Sequence, residues 1–433
     1  MKHSISIDNS NDKKSKYIVI SIDALRSEDL KFLKTLPNFS KLINHGSVAK
    51  NVTSIYPSVT YPCHASIITG CYPDKHGVYN NYLFQPGRDN PDWFWFYKYI
   101  KRKTIIDIAK EKNMKVATLF WPVTGGIKLK YNLAEVLPHG KYKSQTSVSL
   151  KYSSTLFMLK CFIKYGHNLK GISQPYLDNF TTDCALDVLK KGVDLSLIHL
   201  VDLDSMRHKF GTNSQESYEA LKRHDERLGR ILSLLKEKNT LQDTTFFILG
   251  DHSFKDVEYM ININSFLRDN TFISLSSDGK LLDYTAYAHK CDGSCEIFVK
   301  DSSTKNRLLS LLNKSTLNTL GIKNVYTEAS LSDFNVGNNI SIMLEAKDGF
   351  YFTNNYTSNL YVEKNDPSKC VAHHGYNPKE EDYKTLFIAS GKGISAGIEI
   401  EHMNLVDIAP TFCKLINETI DGMDGTCIDQ MLI

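Results

Sequence analysis

Three short apolar segments of the sequence each lead directly into an acidic residue. The segment YIVISI is followed by Asp23, LSLIHLV by Asp202 and, two residues later, Asp204, and TTFFILG by Asp251. Ligands in open α/β sheets bind outside the carboxyl ends of the strands, so these carboxylates are predicted to surround one crevice. Clustered carboxylates repel one another unless a cation lies among them. The pattern therefore predicts a metal site.

Histidines accompany two of these acids. His208 follows Asp204 by four residues, and His252 follows Asp251 directly. A further histidine, His374, precedes a glycine near the end of the chain. One such Asp–His pair alone is more often a salt bridge or a hydrogen-bonded histidine, but a strand before each acid favours metal binding. Mixed carboxylate and imidazole ligands suit Zn²⁺ better than Mg²⁺ or Ca²⁺, which prefer oxygen ligands.

A threonine stands at a position that could supply a nucleophile. In the segment YPSVTYPCHASIITG, Thr60 comes just before a helix-like run. A hydroxyl at a helix start lies where backbone N–H groups and the helix dipole favour an anion. The local sequence is explained equally well if Thr60 is an N-cap or a turn residue. Its assignment as a nucleophile depends on the surrounding motifs.

The ordered set of motifs resembles the alkaline phosphatase superfamily, and within it the nucleotide pyrophosphatase/phosphodiesterase branch. The matching strings are TYPCH, which begins at Thr60, and TGCYPDKHGV, which is followed by Asn81. Asp23 after the opening strand, the DxxxH motif of Asp204, the Asp251–His252 pair and the late HGY also occur in the branch's order. The resemblance runs from about position 17 to about position 376.

The resemblance implies two metal ions, assigned here to zinc, and a covalent mechanism. One ion would be held by Asp23, Thr60, Asp251 and His252, and the other by Asp204, His208 and His374. Asn81 and the backbone N–H of Thr60 would donate hydrogen bonds to the phosphoryl oxygens. The hydroxyl of Thr60 would attack phosphorus to give a phosphothreonine, which water would then hydrolyse.

The sequence departs from the branch pattern near these positions. Tyr61 stands where Phe is commoner, Cys63 replaces Asn, Arg207 stands where Gly is frequent, and Ser253-Phe254 replaces Gly-Met. None of these changes removes an implied ligand. Tyr61 and Arg207 are expected beside the site, where they could alter the substrate preference.

The predicted substrate is a small phosphorylated molecule, such as a nucleotide, with a phosphodiester or pyrophosphate bond. A phosphomonoester or a phosphonate of the phosphonoacetate type is the alternative on the same two-metal site, and Arg26 or Arg207 could then balance the extra charge. The aromatic segment NPDWFWFYKYI could stack on a base or simply pack as core or lid. An inactive homologue that binds a phosphorylated ligand is an alternative of another class. The presence of all seven implied ligands argues against it.

Other potential metal ligands are interpreted as structural. His64 and His76 are expected to form hydrogen bonds within the fold. Cys291 and Cys295 have a spacing that a metal could use, but no second pair lies near them in sequence. The nine scattered cysteines are therefore expected to be mostly reduced.

The elements that must position these residues are a set of short buried strands. KVATLFW and KTLFIAS join the three runs above, and each is separated from the next by enough residues for a helix. This alternation is typical of a mostly parallel, doubly wound sheet, and the resemblance implies an α/β/α sandwich. The predicted division is a polar tail at 1–16, a core at 17–254 plus 366–433, and an inserted α+β lobe at 255–365. Residues 138–180 are predicted to form a smaller insertion over the site.

The composition limits the kinds of partner. The 433 residues carry a formal net charge of +4, which gives no case for nucleic-acid binding. No signal-peptide-like run is present near the N-terminus, and no apolar run reaches the roughly 18 residues of a membrane span. We therefore expect a cytoplasmic protein without a membrane partner. The oligomeric state is not predicted.

Overall fold

An eight-stranded sheet forms the centre of the protein in the computed structural model, which describes residues 15–337 and 340–433. Residues 1–14 of the predicted polar tail lie outside the described residues. From edge to edge, the strands are Ile398–Asn404, Gly46–Thr53, Thr385–Gly391, Thr244–Leu249, Lys16–Ile22, Leu195–Leu200, Val116–Leu119 and Tyr131–Leu133. Within this sheet the strands are parallel except Thr385–Gly391, which runs against both of its neighbours.

Helices cover both faces of the sheet, because successive side chains of each strand point to opposite faces. Ile18 and Ile20 belong to the core on one face, whereas Val19 belongs to the core on the other. The first layer contains the helices Leu30–Leu33, Pro37–Asn44, Thr155–Tyr165, Tyr176–Lys190, Asp202–Phe210 and Gln215–Glu237. The second contains the helices Thr60–Thr69, Ile105–Glu111 and Ile408–Leu415. The predicted α/β/α sandwich is confirmed.

All five apolar runs that were predicted as strands are strands, but the sequence did not reveal three members of the sheet. One of these three strands begins at Gly46, two residues after the end of the helix Pro37–Asn44. A side chain at Gly46 would collide with the backbone carbonyl of Ala389 on the neighbouring strand. The glycine thus allows two strands to approach closely.

The segment that follows residue 254 builds smaller sheets with a hydrophobic core of its own. An antiparallel sheet contains Ala286–Cys291, Ser294–Val299, Ile342–Ala346 and Ile322–Thr327. The strand Lys255–Ile261 pairs with Gly349–Phe352, Val362–Lys364 and Ala372–His373, and Ile273–Leu275 pairs with Leu281–Tyr284. The helices here are Ile263–Asp269, Ser302–Leu311, Lys314–Leu320 and Glu328–Leu331. The exact domain boundaries stay a prediction.

The predicted small insertion at 138–180 is helical. Its first two helices are Gln145–Tyr152 and Thr155–Tyr165, and the long helix that begins at Tyr176 packs on the central sheet. None of the helices in the described ranges combines the length and apolarity that a bilayer crossing needs. The cytoplasmic location stays a prediction.

Candidate active site

The carboxylates that follow the three predicted strands lie at one edge of the sheet. The strand Lys16–Ile22 is central, with parallel neighbours on both sides, so the carboxyl ends of all three strands point the same way. Asp23, Asp204 and Asp251 follow these ends. The crevice predicted from the sequence is therefore present.

The first group of potential ligands centres on one imidazole nitrogen. His252 Nε2 lies 3.2 Å from Asp23 Oδ1, 3.4 Å from Asp251 Oδ2 and 3.3 Å from Thr60 Oγ1. Ligand atoms around a tetrahedral Zn²⁺, at bond lengths of about 2.0–2.1 Å, are separated by about 3.3 Å. The two carboxylate oxygens are buried and have no hydrogen-bond partner among the described residues. The four side chains thus have the spacing and free electron pairs of a metal site.

The second group lies beside the first. Potential ligand atoms of Asp204, His208 and His374 all lie within 4.8 Å of one another. His208 Nε2 is 3.5 Å from Asp204 Oδ1, which has no hydrogen-bond partner in the part of the chain that the structure describes. The ring of His374 lies 4.2 Å from the ring of His252, measured between centroids. The seven implied ligands therefore lie in two adjacent groups, and their role as metal ligands stays a prediction.

Backbone carbonyls orient two of the histidines. His252 Nδ1 lies 3.3 Å from the carbonyl oxygen of Ser253, and His208 Nδ1 lies 2.8 Å from that of Ala372. A proton on Nδ1 donated to these carbonyls leaves the Nε2 lone pair free for a metal. Ala372 lies on a short strand that pairs with the smaller sheet. The segment beyond residue 254 thus helps to position the second group.

The electrostatics of the crevice favour the binding of positive charge. Burial raises the pKa of Asp23 well above its usual value, and the nearby carboxylates of Asp251 and Asp204 add to the effect. Burial works against protonation of His208, but Asp204, Cys370 and Asp292 together outweigh burial and raise the pKa of His208 to about 10. Burial and the neighbouring His252 lower the pKa of His374. Divalent cations would offset the crowded carboxylates, and the mixed oxygen and nitrogen donors fit zinc.

Thr60 occupies the first position of its helix, and Val59 is the N-cap. The alternative that Thr60 is an N-cap is therefore wrong. In the first turn, Tyr61 N–H donates to Asn81 Oδ1 at 2.8 Å, and Pro62 has no N–H. The N–H of Thr60 and the side-chain NH₂ of Asn81 have no acceptor among residues 15–337 and 340–433. Two donors are thus free beside the hydroxyl of Thr60.

His199 was missed by the sequence analysis. Its Nε2 lies 3.2 Å from Asp23 Oδ2, and its Nδ1 lies 3.3 Å from Glu135 Oε2. Burial lowers the pKa of His199, but the hydrogen bonds to Asp23 and Glu135 outweigh burial and raise it well above its usual value. The sequence does contain an indication of these contacts, because a histidine inside a fully buried strand needs polar partners.

The two histidines that were interpreted as structural have that role. His64 Nδ1 lies 2.8 Å from the carbonyl oxygen of Thr60, and its Nε2 lies 2.9 Å from Ser21 Oγ. His76 Nε2 lies 2.9 Å from Ser66 Oγ. Both side chains are fully buried. The prediction of hydrogen bonding within the fold is confirmed.

Two further residues near the second group come from loops that carry no readable pattern. Asp292 Oδ2 lies 3.6 Å from His373 Nδ1 and 3.9 Å from His374 Nδ1. Cys370 Sγ lies 3.4 Å from His208 Nδ1. The sequence drew attention to the segment CDGSC for its cysteines, yet it is the aspartate that approaches the site. All nine cysteines are free, as predicted.

The suggestion that Arg26 or Arg207 could bind substrate is not supported. Both side chains are buried and form contacts with other residues of the fold. Arg207 Nη2 lies 2.6 Å from Asp29 Oδ1, and its Nε donates to the carbonyl oxygen of Thr212 at 3.2 Å. Arg26 Nη2 donates to Asn213 Oδ1 at 2.7 Å. These contacts indicate that the two arginines stabilise the fold.

A cavity of about 320 Å³ lies next to Tyr61, the residue that follows Thr60. Tyr61, Trp93 and His199 line it, and the Tyr61 hydroxyl donates to Glu135 at 3.0 Å. Trp93 packs edge-on against Tyr61, and Tyr61 is buried in the same core cluster as Phe94 and Trp95. The aromatic segment therefore has two parts. Trp93 faces the cavity, whereas its neighbours Phe94 and Trp95 pack in the hydrophobic core.

Similarity to known proteins agrees with this geometry. Residues 17–377 match the family model described as type I phosphodiesterase / nucleotide pyrophosphatase. Human ectonucleotide pyrophosphatase/phosphodiesterase family member 1 is 27% identical over 269 residues, which cover 58% of this chain and 25% of that protein. Family member 7 from Mus musculus is 22% identical over 436 residues, which cover 95% of this chain and 86% of that protein.

The chain spans about a quarter of the length of the first curated relatives that it matches. The solved structure of murine ectonucleotide pyrophosphatase / phosphodiesterase 5 has a TM-score of 0.66 at 17% identity. The match covers 96% of this chain and 100% of the murine chain, and it shows the same fold. The chain belongs to the type I phosphodiesterase / nucleotide pyrophosphatase family, a family of phosphoric-ester hydrolases within the alkaline phosphatase superfamily.

Proposed function

We propose that this protein hydrolyses phosphodiester or nucleotide pyrophosphate bonds at a two-metal centre, with Thr60 as the nucleophile. The observation that carries the proposal is the position of Thr60 Oγ1. It lies 3.3 Å from His252 Nε2, the atom on which Asp23 and Asp251 also converge. The hydroxyl therefore stands within a potential ligand set and next to two free hydrogen-bond donors.

Seven side chains would hold the two ions. Asp23, Thr60, Asp251 and His252 would hold one, and Asp204, His208 and His374 the other. Bound Zn²⁺ supplies positive charge that lowers the pKa of a hydroxyl and offsets negative charge in the transition state. The placement of all seven side chains in two groups supports an active enzyme over an inactive phospho-ligand-binding homologue.

The hydroxyl oxygen of Thr60 loses its proton and forms a bond to phosphorus. The bond from phosphorus to the leaving oxygen breaks, and the leaving group takes up a proton. Water then forms a bond to phosphorus, the phosphothreonine bond breaks, and the oxygen of Thr60 regains a proton. The NH₂ of Asn81 and the N–H of Thr60 donate to the other phosphoryl oxygens, as in an oxyanion hole.

The surroundings favour a diester over a monoester. A phosphomonoester carries a further negative charge, but Arg26 and Arg207 are both bound elsewhere. Tyr61 and Trp93 offer an aromatic wall at the cavity, which suits a nucleoside. A solved murine relative is described as an inactive threonine-to-alanine form in complex with AMP, which agrees with a nucleotide substrate.

The proposal is tested with purified protein that carries Thr60→Ala or Thr60→Ser. Turnover of a chromogenic diester and a monoester of the same alcohol is measured, and metal content is determined by elemental analysis. We expect Thr60→Ala to abolish turnover with both metals retained, Thr60→Ser to keep part of it, and the wild-type protein to prefer the diester. Substantial turnover by Thr60→Ala would refute the nucleophile, and a preference for the monoester would refute the substrate class.

A further inference from the structure

The helix Thr155–Tyr165 exposes an apolar face to solvent. Leu156 and Ile163 are 77% and 81% exposed, and Leu159 and Phe162 are 40% and 50% exposed. At 100° per residue, these four side chains share an arc of about 120° on the helix surface. Single exposed apolar residues are ordinary on protein surfaces, but a contiguous apolar face marks a site of interaction.

The opposite face fixes the helix in place. Phe157 and Cys161 are buried in the core that packs on the central sheet. The exposed face cannot turn inward without removing these two side chains from the core. The apolar face is therefore a stable surface of the fold. Ile172, in the loop after the helix, is 59% exposed and extends the apolar surface.

The segment that carries this face has charged side chains of one sign only. Residues 136–177 contain six lysines and no aspartate or glutamate, in a chain whose formal net charge is +4. All six are exposed, namely Lys141, Lys143, Lys151, Lys160, Lys164 and Lys170. Lys164 contacts Asp187 at 2.9 Å, outside the segment. An apolar face carried by a basic segment is complementary to a surface that is apolar inside and negatively charged outside.

We propose that this apolar and basic face docks the protein on an anionic lipid surface. The exposed apolar side chains enter the boundary between headgroups and acyl chains, and the lysines contact anionic headgroups. Phe162 and Ile172 belong to the docking face and also line the cavity that Tyr61 and Trp93 border. Docking would thus turn the mouth of that cavity toward the lipid. The proposal replaces the expectation of no membrane partner and does not depend on the proposed reaction.

The test is co-sedimentation of the full chain with vesicles. Phosphatidylcholine vesicles with and without phosphatidylserine are compared at low and high salt. We expect binding to the phosphatidylserine vesicles that weakens with salt. The double variant Leu156→Ser/Ile163→Ser, which leaves the cavity lining intact, should lower the partition coefficient about tenfold or more. The charge variant Lys151→Glu/Lys160→Glu should also lower it, with the larger effect on anionic vesicles.

A matched control is Leu282→Ser, which removes an equally apolar side chain, 67% exposed, from another part of the surface. It should bind vesicles like the wild-type protein. Circular dichroism and turnover of a water-soluble diester report whether each variant is folded. If the double variant unfolds, the charge variant alone decides the question. The proposal is overturned if the wild-type protein does not bind, if the folded face variants bind unchanged, or if the face instead mediates concentration-dependent self-association seen by light scattering.

Discussion

The side-chain oxygen of Asn81 accepts a hydrogen bond from the backbone N–H of Tyr61 at 2.8 Å. An amide side chain carries an acceptor at one end and donors at the other. With the acceptor bound to the helix, the NH₂ group is the end left for a ligand. Backbone N–H groups at helix starts commonly bind anions. Here one such N–H is used to orient Asn81, and the Asn81 side chain becomes a donor in its place.

Removing this donor should slow catalysis while the fold persists. We expect Asn81→Ala to reduce kcat by about 10²–10³-fold, which corresponds to about 2.7–4 kcal/mol of barrier. Asn81→Asp keeps an acceptor for the Tyr61 N–H but replaces the donor with a negative charge, so it should be at least as slow. Both are measured by steady-state turnover of a chromogenic diester, with thermal unfolding as the folding control. An Asn81→Ala variant that keeps half of the wild-type kcat would exclude the donor role.

Metal content should depend on one residue from each ligand group. Asp251→Asn and His374→Ala are each expected to lose close to one equivalent of zinc, because a ligand of a different ion is weakened in each case. Elemental analysis after gel filtration at fixed zinc concentration measures the stoichiometry. Unchanged stoichiometry in either variant would contradict the ligand assignment.

A matched control comes from a third cluster with metal-like spacing, formed by Asp178, Asp202 and His224. Arg223 donates to both carboxylate oxygens of Asp202 at 2.7 and 2.8 Å, so the charge of Asp202 is already balanced. His224→Gln should therefore leave the zinc content unchanged. A loss of zinc in this variant would mean that this cluster, too, binds metal.

Arg207 should matter for stability and not for substrate choice. The side chain is buried and paired with Asp29, and a broken buried ion pair typically costs about 3–5 kcal/mol. We expect Arg207→Met to lower the free energy of unfolding by about that amount, as measured by urea denaturation. The ratio of diester to monoester turnover should stay the same. A selective loss of monoester turnover would instead indicate that Arg207 contacts the substrate.

The positions of the candidate ligands were predicted best where secondary structure determines them. Asp23 and Asp251 follow buried strands, and parallel strands bring their carboxyl ends to one edge whatever the details of packing. Asp204 and His208 lie four residues apart on a helix, so they share one face. For these residues, local pattern and three-dimensional position are closely linked.

The remaining contacts depend on packing that no local pattern encodes. Asp292 lies in a turn of a distant hairpin, and it reaches His374 only because the smaller sheets fold back on the core. His199 was hidden inside an apolar run. Arg207, which precedes His208 in sequence, was one of two residues considered for the charge of a monoester, but its side chain turns toward Asp29. Side-chain direction at such positions is set by tertiary contacts.

An ion pair outside the site should set part of the acid stability. Glu380 accepts from Lys255 at 2.7 Å and also contacts Lys323. Burial alone would raise the pKa of Glu380, but the two lysines outweigh burial and lower it to about 2, from a usual value of 4.5. A carboxyl whose pKa is lower in the folded protein stabilises the fold above its unfolded pKa. That stabilisation is lost as pH falls through the folded value.

We therefore expect Glu380→Gln to lower the free energy of unfolding at pH 7, and the deficit relative to wild type to shrink between about pH 4.5 and pH 2. Urea denaturation of both proteins at pH 7, 5 and 3 measures this difference. Glu381→Gln is the matched control, because the neighbouring side chain is exposed and should change stability little at any pH. A deficit that is constant from pH 7 to pH 3 would show that the ion pair does not govern the loss of stability in acid.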